Sequence, residues 1–89
     1  MTSRRFVPPQ TIAVMADRHW TVPVRLCWRG HWEVVAETVA TWEATTGWWR
    51  ETPEAAQRRY YRLLTRSGLH CIIYCDLGCG RWYLEQVID

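Results

Sequence analysis

Apolar and polar residues alternate one by one over two stretches of the chain. From Val22 to Arg29, Val24, Leu26 and Trp28 fall on one side, and Arg25, Cys27 and Arg29 on the other. From Arg81 to Ile88, Trp82, Leu84 and Ile88 share one face, and Tyr83 and Val87 the other. Successive side chains of a strand point to opposite faces of a sheet, so a period of two marks a half-buried strand. Both stretches are predicted as strands, with Trp28 and Trp82 buried. Pro23 suits a strand start or an edge, where its missing donor does no harm. Arg29-Gly30 reads as a hairpin turn, with Gly30 free to take positive φ.

The remaining segments are less regular. Thr11 to Ala16 is short and partly β-branched, and Asp17-Arg18-His19 after it suits a turn. Trp32 to Trp42 fits two periods. As a strand, Trp32 and Val34 share a face; as a helix, Trp32, Val35, Val39 and Trp42 do. Its Val and Thr content favours a strand at the start, with a helical turn at the end. Residues 43–57 form the longest irregular stretch, and Thr52-Pro53 resembles a helix N-cap followed by Pro in the first turn. One short helical turn is expected at 53–58. Residues 59–88 read as three strands, Arg59–Thr65, Leu69–Cys75 and Arg81–Ile88, joined at Ser67-Gly68 and across Asp76–Gly80. A competing reading makes 54–64 a helix, because Ala56, Tyr60, Leu63 and Leu64 have helical spacing. Pro8 and Pro9 remove two backbone donors, so residues 1–9 are expected as a flexible lead-in. The fold class is thus all-β with room for one short helix: a small antiparallel meander or half-open barrel, as a single domain over residues 10–89.

Composition narrows the function. Eighty-nine residues suit one domain with a limited core. Seven Trp, four Tyr and one Phe are more large rings than such a core readily hides. All eleven cations are Arg, yet the net charge is only +2, too small for a protein defined by basicity. No segment reaches the roughly 18–20 apolar residues that span a bilayer, and no apolar run of signal-peptide length follows Arg4 and Arg5. A cytoplasmic location is expected, and with it reduced thiols.

Candidate chemistry is sparse. Cys71, Cys75 and Cys79 have a C-x3-C-x3-C spacing, but four residues along a strand separate two of them by roughly 13 Å, and the spacing matches neither zinc nor common cluster patterns. No metal site and no cofactor are expected. His19, His31 and His70 are scattered, and Glu33/Glu37 and Glu51/Glu54 suit solvated surface. No nucleophile, base and oxyanion donor come together, so no catalytic residues are assigned and an enzyme is not expected. The stronger signal is Arg interleaved with aromatics: Trp28-Arg29, Trp48-Trp49-Arg50, Arg58-Arg59-Tyr60-Tyr61-Arg62 and Arg81-Trp82-Tyr83. Such residues dominate protein-interface hot spots, and they also stack bases and hold phosphates in single-strand binders. Trp48 and Trp49 stand out, because neighbours in an extended segment cannot both face one core. Trp48, Trp49 and Arg50, with Arg29, Arg59 and Arg81, form the candidate binding set.

Several runs taken in order resemble a known family. They are Val22-Pro-Val-Arg-Leu-Cys-Trp-Arg-Gly30, Trp32-Glu-Val34, Val39 and Trp42, Gly47-Trp48-Trp49, Arg59-Tyr-Tyr-Arg-Leu63, Gly68, Tyr74-Cys-Asp76, and Gly80-Arg-Trp-Tyr-Leu-Glu-Gln-Val87. The resemblance, over residues 10–89, is to an uncharacterised domain of actinobacteria and deinococci with the pattern F-x-W-R-G, W, W-W, Y-F-R-V and G-x-W-Y-L-x-R-V. Cys71, Cys75 and Cys79 depart from the charged or small polar residues of that pattern, and Gln86 stands where it has Arg. The resemblance implies proximity or fusion to an ImuB-like, Y-family polymerase homologue, and hence a protein partner in DNA damage tolerance. The expected function is a non-enzymatic interaction module. Direct single-stranded nucleic-acid binding is the alternative, and a small nucleotide-handling enzyme the remote one.

Overall fold

The computed structural model describes residues 3–19, 22–46 and 56–88. It contains seven strands: β1 (Arg4–Thr11), β2 (Val14–Ala16), β3 (Pro23–Trp28), β4 (His31–Thr46), β5 (Ala56–Thr65), β6 (His70–Asp76) and β7 (Arg81–Val87). They form one antiparallel sheet in the order β1-β7-β6-β5-β4-β3-β2. The fold is all-β, and no helix occurs among the described residues. Residues 56–64 are strand, so the helical reading of 54–64 fails over that range. The turn expected at 53–58 falls largely outside the described residues.

The sheet curls until its two ends meet. β1 and β2 lie at opposite edges, yet only Ile12 and Ala13 separate them. Ile12 N donates to Trp82 O of β7 at 3.1 Å, and Cys27 N of β3 donates to Ala13 O at 2.9 Å. Within two residues the chain passes from one edge of the sheet to the other, which closes one end of the half-barrel. The expected flexible lead-in is therefore corrected: Arg4 to Thr11 is an edge strand. Pro8 and Pro9 are tolerated because Phe6 to Pro9 bulges away from β7 between the pairs Arg5–Gln86 and Gln10–Leu84, where no ladder donor is required.

Bulges also explain where simple alternation fails. β4 carries an extra residue at Ala36 and another at Val39, since Val35 faces Thr65, Thr38 faces Leu63 and Ala40 faces Arg62. Each bulge moves the next inward position on by one, so Val35, Thr38 and Thr41 follow one another at intervals of three. That spacing imitates a helix, yet β4 is strand to Thr46, and no helical turn forms at its end. In β3 an extra residue at Val24 puts Pro23 inside and leaves Val24 exposed. In β7 an extra residue at Glu85 turns Val87 inward, opposite Cys71 and against the core.

The core is formed by Ile12, Leu26, Tyr61, Leu63, Cys71, Ile73, Trp82 and Leu84. Trp82 is buried as expected, its ring 5.5 Å from that of Tyr61. Trp28 is only half-buried. It sits at the open end of β3, edge-on to Phe6 at 6.1 Å with Arg29 over its ring.

Candidate aromatic-ladder site

Every strand of the curled sheet has a second face, and on β4 to β7 that face is aromatic. Adjacent aromatics along the chain produce it: in Tyr60-Tyr61 and Trp82-Tyr83 the pleat sends one ring into the core and the other outward. Registers then align the outward rings. Trp42 lies opposite Tyr60, Tyr60 opposite Tyr74, and Tyr74 opposite Tyr83. Ring centroids along this ladder are 5.3, 5.1 and 5.1 Å apart. Trp42 and Tyr60 are parallel to within 1°. Cross-strand aromatic pairs of this kind each contribute roughly 0.2–1 kcal/mol. Exposure rises sharply at one end, from 3% at Tyr74 and 8% at Tyr60 to 41% at Trp42.

Cations border the ladder. Arg58 lies two residues before Tyr60 on the same face, and its guanidinium sits 4.5 Å from the Tyr74 ring centroid. Burial works against its charge, but a hydrogen bond to the Tyr60 hydroxyl and the nearby Tyr74 and Asp76 hold its pKa above the usual value. Arg58 Nε is buried and has no hydrogen-bond partner among the described residues. An orphaned donor of this kind is uncommon in a finished core. Two residues after Tyr60, Arg62 Nε donates to His70 Nε2 at 2.8 Å, so His70 accepts through an unprotonated nitrogen. Burial also raises the pKa of Tyr74, which keeps the middle of the ladder neutral.

Of the expected binding residues, only Arg29, Arg59 and Arg81 lie among the described ones, and these three do not all lie together. Trp48, Trp49 and Arg50 lie outside the described residues. Arg29 occupies the β3–β4 turn with φ 50° and lies 5.0 Å from the Trp28 ring centroid. Arg59 is on the inward side of the β4–β5 hairpin, where it pairs with Glu43 at 3.2 Å and hydrogen-bonds Tyr61. Arg81 is exposed at the start of β7, opposite Asp76. Arg59 and Arg81 share the end of the sheet where β5 and β7 begin, whereas Arg29 adjoins the start of β4, away from them. The residues that do converge are Trp42, Tyr60, Tyr74, Tyr83 and Arg58. Their signal in the sequence was the adjacent aromatic pair, which carries the same implication at Tyr60-Tyr61 and Trp82-Tyr83 as at Trp48-Trp49.

The cysteines are spread over the sheet. Cys71 is buried in the core, Cys75 is half-buried, and Cys79 is exposed in the β6–β7 turn. Burial pushes the Cys71 thiol up to about 12 and raises that of Cys75. Among the described residues, no three His, Cys, Asp or Glu side chains gather where a metal ion could sit, and no helix is long and apolar enough to cross a membrane.

No curated protein and no solved structure matches the chain. One family model does, that of a domain of unknown function (DUF6504), over residues 2–89. The match takes in all seven strands, from the edge strand that closes the half-barrel to the one that carries the last ring of the ladder, and the chain belongs to this family.

Proposed function

We propose that the domain is a non-enzymatic interaction module that docks a protein partner on the outer face of β4 to β7. The observation that carries this reading is the aromatic ladder with Arg58 stacked on it and Trp42 open at its end. The buried Tyr60 and Tyr74 hold Trp42, Tyr83 and Arg58 in place, so these more exposed side chains offer contact area at small entropic cost, the chemistry of interface hot spots. The near-balanced charge of +2 suits a protein surface better than a polyanion, whose binding rests on many phosphate contacts. The motif resemblance favours an ImuB-like polymerase homologue as the partner, and with it a role in DNA damage tolerance. β4 and β5 also bracket the segment with Trp48, Trp49 and Arg50, which the sequence marks as the centre of a binding surface.

The test measures binding of the polymerase homologue by titration calorimetry. Arg58→Ala and Arg62→Ala flank the ladder without touching Trp42. Together they are expected to weaken binding at least tenfold while the unfolding midpoint moves little. Unchanged affinity in the double variant sinks the reading. If single-stranded oligonucleotide binds instead, with affinity falling steeply as salt rises, the ladder serves nucleic acid.

A further inference from the structure

β4 is the longest strand, and half of it has a neighbour on one side only. β3 pairs with His31 to Val34 and stops. From Ala40 to Thr46, β4 runs in unbroken register with β5, and among the described residues no strand lies along its other edge. An open edge presents unpaired N–H and C=O groups and is normally guarded by Lys, Pro, a bulge or shortness. This one has none of those devices. It reads Ala-Thr-Trp-Glu-Ala-Thr-Thr; its single charge, Glu43, is tied to Arg59 of its own chain. Both bulges of β4 lie before it. An open depression of about 440 Å³ lies over this part of β4 and β5, lined by Thr41, Trp42, Glu43 and Arg59.

The edge matches itself. We infer that β4 pairs antiparallel with β4 of a second copy of this chain, about a two-fold axis through Trp42, so that the two ladders join into one. Residues directly opposite in an antiparallel pair share a face, so the axis must pass through a residue and not between two. Centred on Glu43, two carboxylates would oppose each other, which is unfavourable. Centred on Thr41, each Trp42 would face an Ala and Glu43 would face Val39. Centred on Trp42, the two open indoles meet. Ala40 then faces Ala44 of the partner copy, leaving the rings room, and Thr41 faces the partner copy's Glu43 without like charges. Trp42 is the one ladder ring with 41% of its surface exposed, and this pairing covers it by continuing the stack already made with Tyr60. The interface is isologous and closed, as a two-fold dimer requires. It does not depend on whether the ladder face also receives another protein.

Sedimentation velocity of the full chain is expected to show a particle of twice the chain's 10.6 kDa. Exchange of the Ala40–Thr46 amides should slow as protein concentration rises. The double change Ala40→Lys, Ala44→Lys puts like charges opposite across the axis and is expected to give a folded monomer. Ala40→Glu, Ala44→Glu does the same across the axis but faces Arg62 and Arg58 within its own sheet, so it remains informative if the Lys pair folds poorly. Mixing the two variants should restore a heterodimer. A wild-type chain that stays monomeric to millimolar concentration overturns the inference and leaves the edge to a foreign strand. So does a dimer that survives either double change, because it must use another surface. A mixture that fails to associate overturns the register.

Discussion

Cys71 shows how much one position depends on its surroundings. In the sequence it belongs to an evenly spaced set of three thiols, yet the sheet gives each a different environment. Cys71 lies among Leu63, Ile73 and Val87, where apolar neighbours disfavour a thiolate. A thiol whose pKa rises from 9.0 to about 12 on folding favours the folded state fully below pH 9. That contribution is lost as the pH climbs from about 9 toward about 12, because the unfolded chain ionises first. Cys75, Tyr61 and Tyr74 are shifted in the same direction and add to the alkaline loss. Stability measured by urea unfolding is therefore expected to fall above pH 9, less steeply in Cys71→Ala. At pH 8 a disulfide reagent should label exposed Cys79 promptly and Cys71 only at the rate of unfolding. Prompt labelling of Cys71 in folded protein would contradict its place in the core.

At the scale of elements, turns and bulges matter more than strand propensity. The β3–β4 hairpin turns on Arg29 and Gly30, with φ of 50° and 81°. Two successive positive values define the tight turn whose twist matches that of the flanking strands. The sequence marked this turn correctly through Gly30. A side chain at Gly30 meets no atom within 4 Å, so the effect of Gly30→Ala is purely conformational. It should cost about 1–2 kcal/mol, the usual penalty for an L-residue in the left-handed region, read as a lower urea midpoint at unchanged slope. Gly30→Ala with wild-type stability would mean that the turn relaxes into another type. The bulges were not legible in the same way. A one-residue insertion at Ala36, Val39 or Glu85 has no composition of its own; it shows only in which residues of the neighbouring strand lie opposite. For that reason Val87 was expected outward, Val24 inward, and the end of β4 as a helical turn.

The whole molecule depends on the passage at Ile12 and Ala13. β1 completes the edge of β7, β2 completes the edge of β3, and Ile12 enters the core between them. Deleting residues 1–11 would strip β7 of one of its two neighbours and uncover the flank of Trp82 and Leu84. A small domain has little stability to spare. The truncated chain is expected to lose its cooperative thermal transition and to associate through the bared edge. A truncated chain that melts like the full one would show that β1 is only an accessory strand. The same closure explains why a proline-rich start, read as a lead-in, forms part of the fold: its partner, β7, is the last strand of the chain, and local sequence carries no trace of so distant a pairing.

The sequence by itself determined the all-β class, the hairpin at Arg29-Gly30, the burial of Trp82, and the excess of aromatic and Arg side chains over what one core can hold. Each is a local property, set by a period of two, by glycine's backbone freedom or by side-chain volume. Tertiary structure decided which strands are neighbours, where the bulges fall, and hence which outward rings line up. Trp42, Tyr60, Tyr74 and Tyr83 are spread along the chain and become a single ladder only because three registers agree. Arg29, Arg59 and Arg81 look equivalent beside their aromatic neighbours, yet the strand registers bring Arg59 and Arg81 to one end of the sheet and leave Arg29 away from them. Register is fixed by the summed packing of both faces, and that sum exists only once all seven strands are in place.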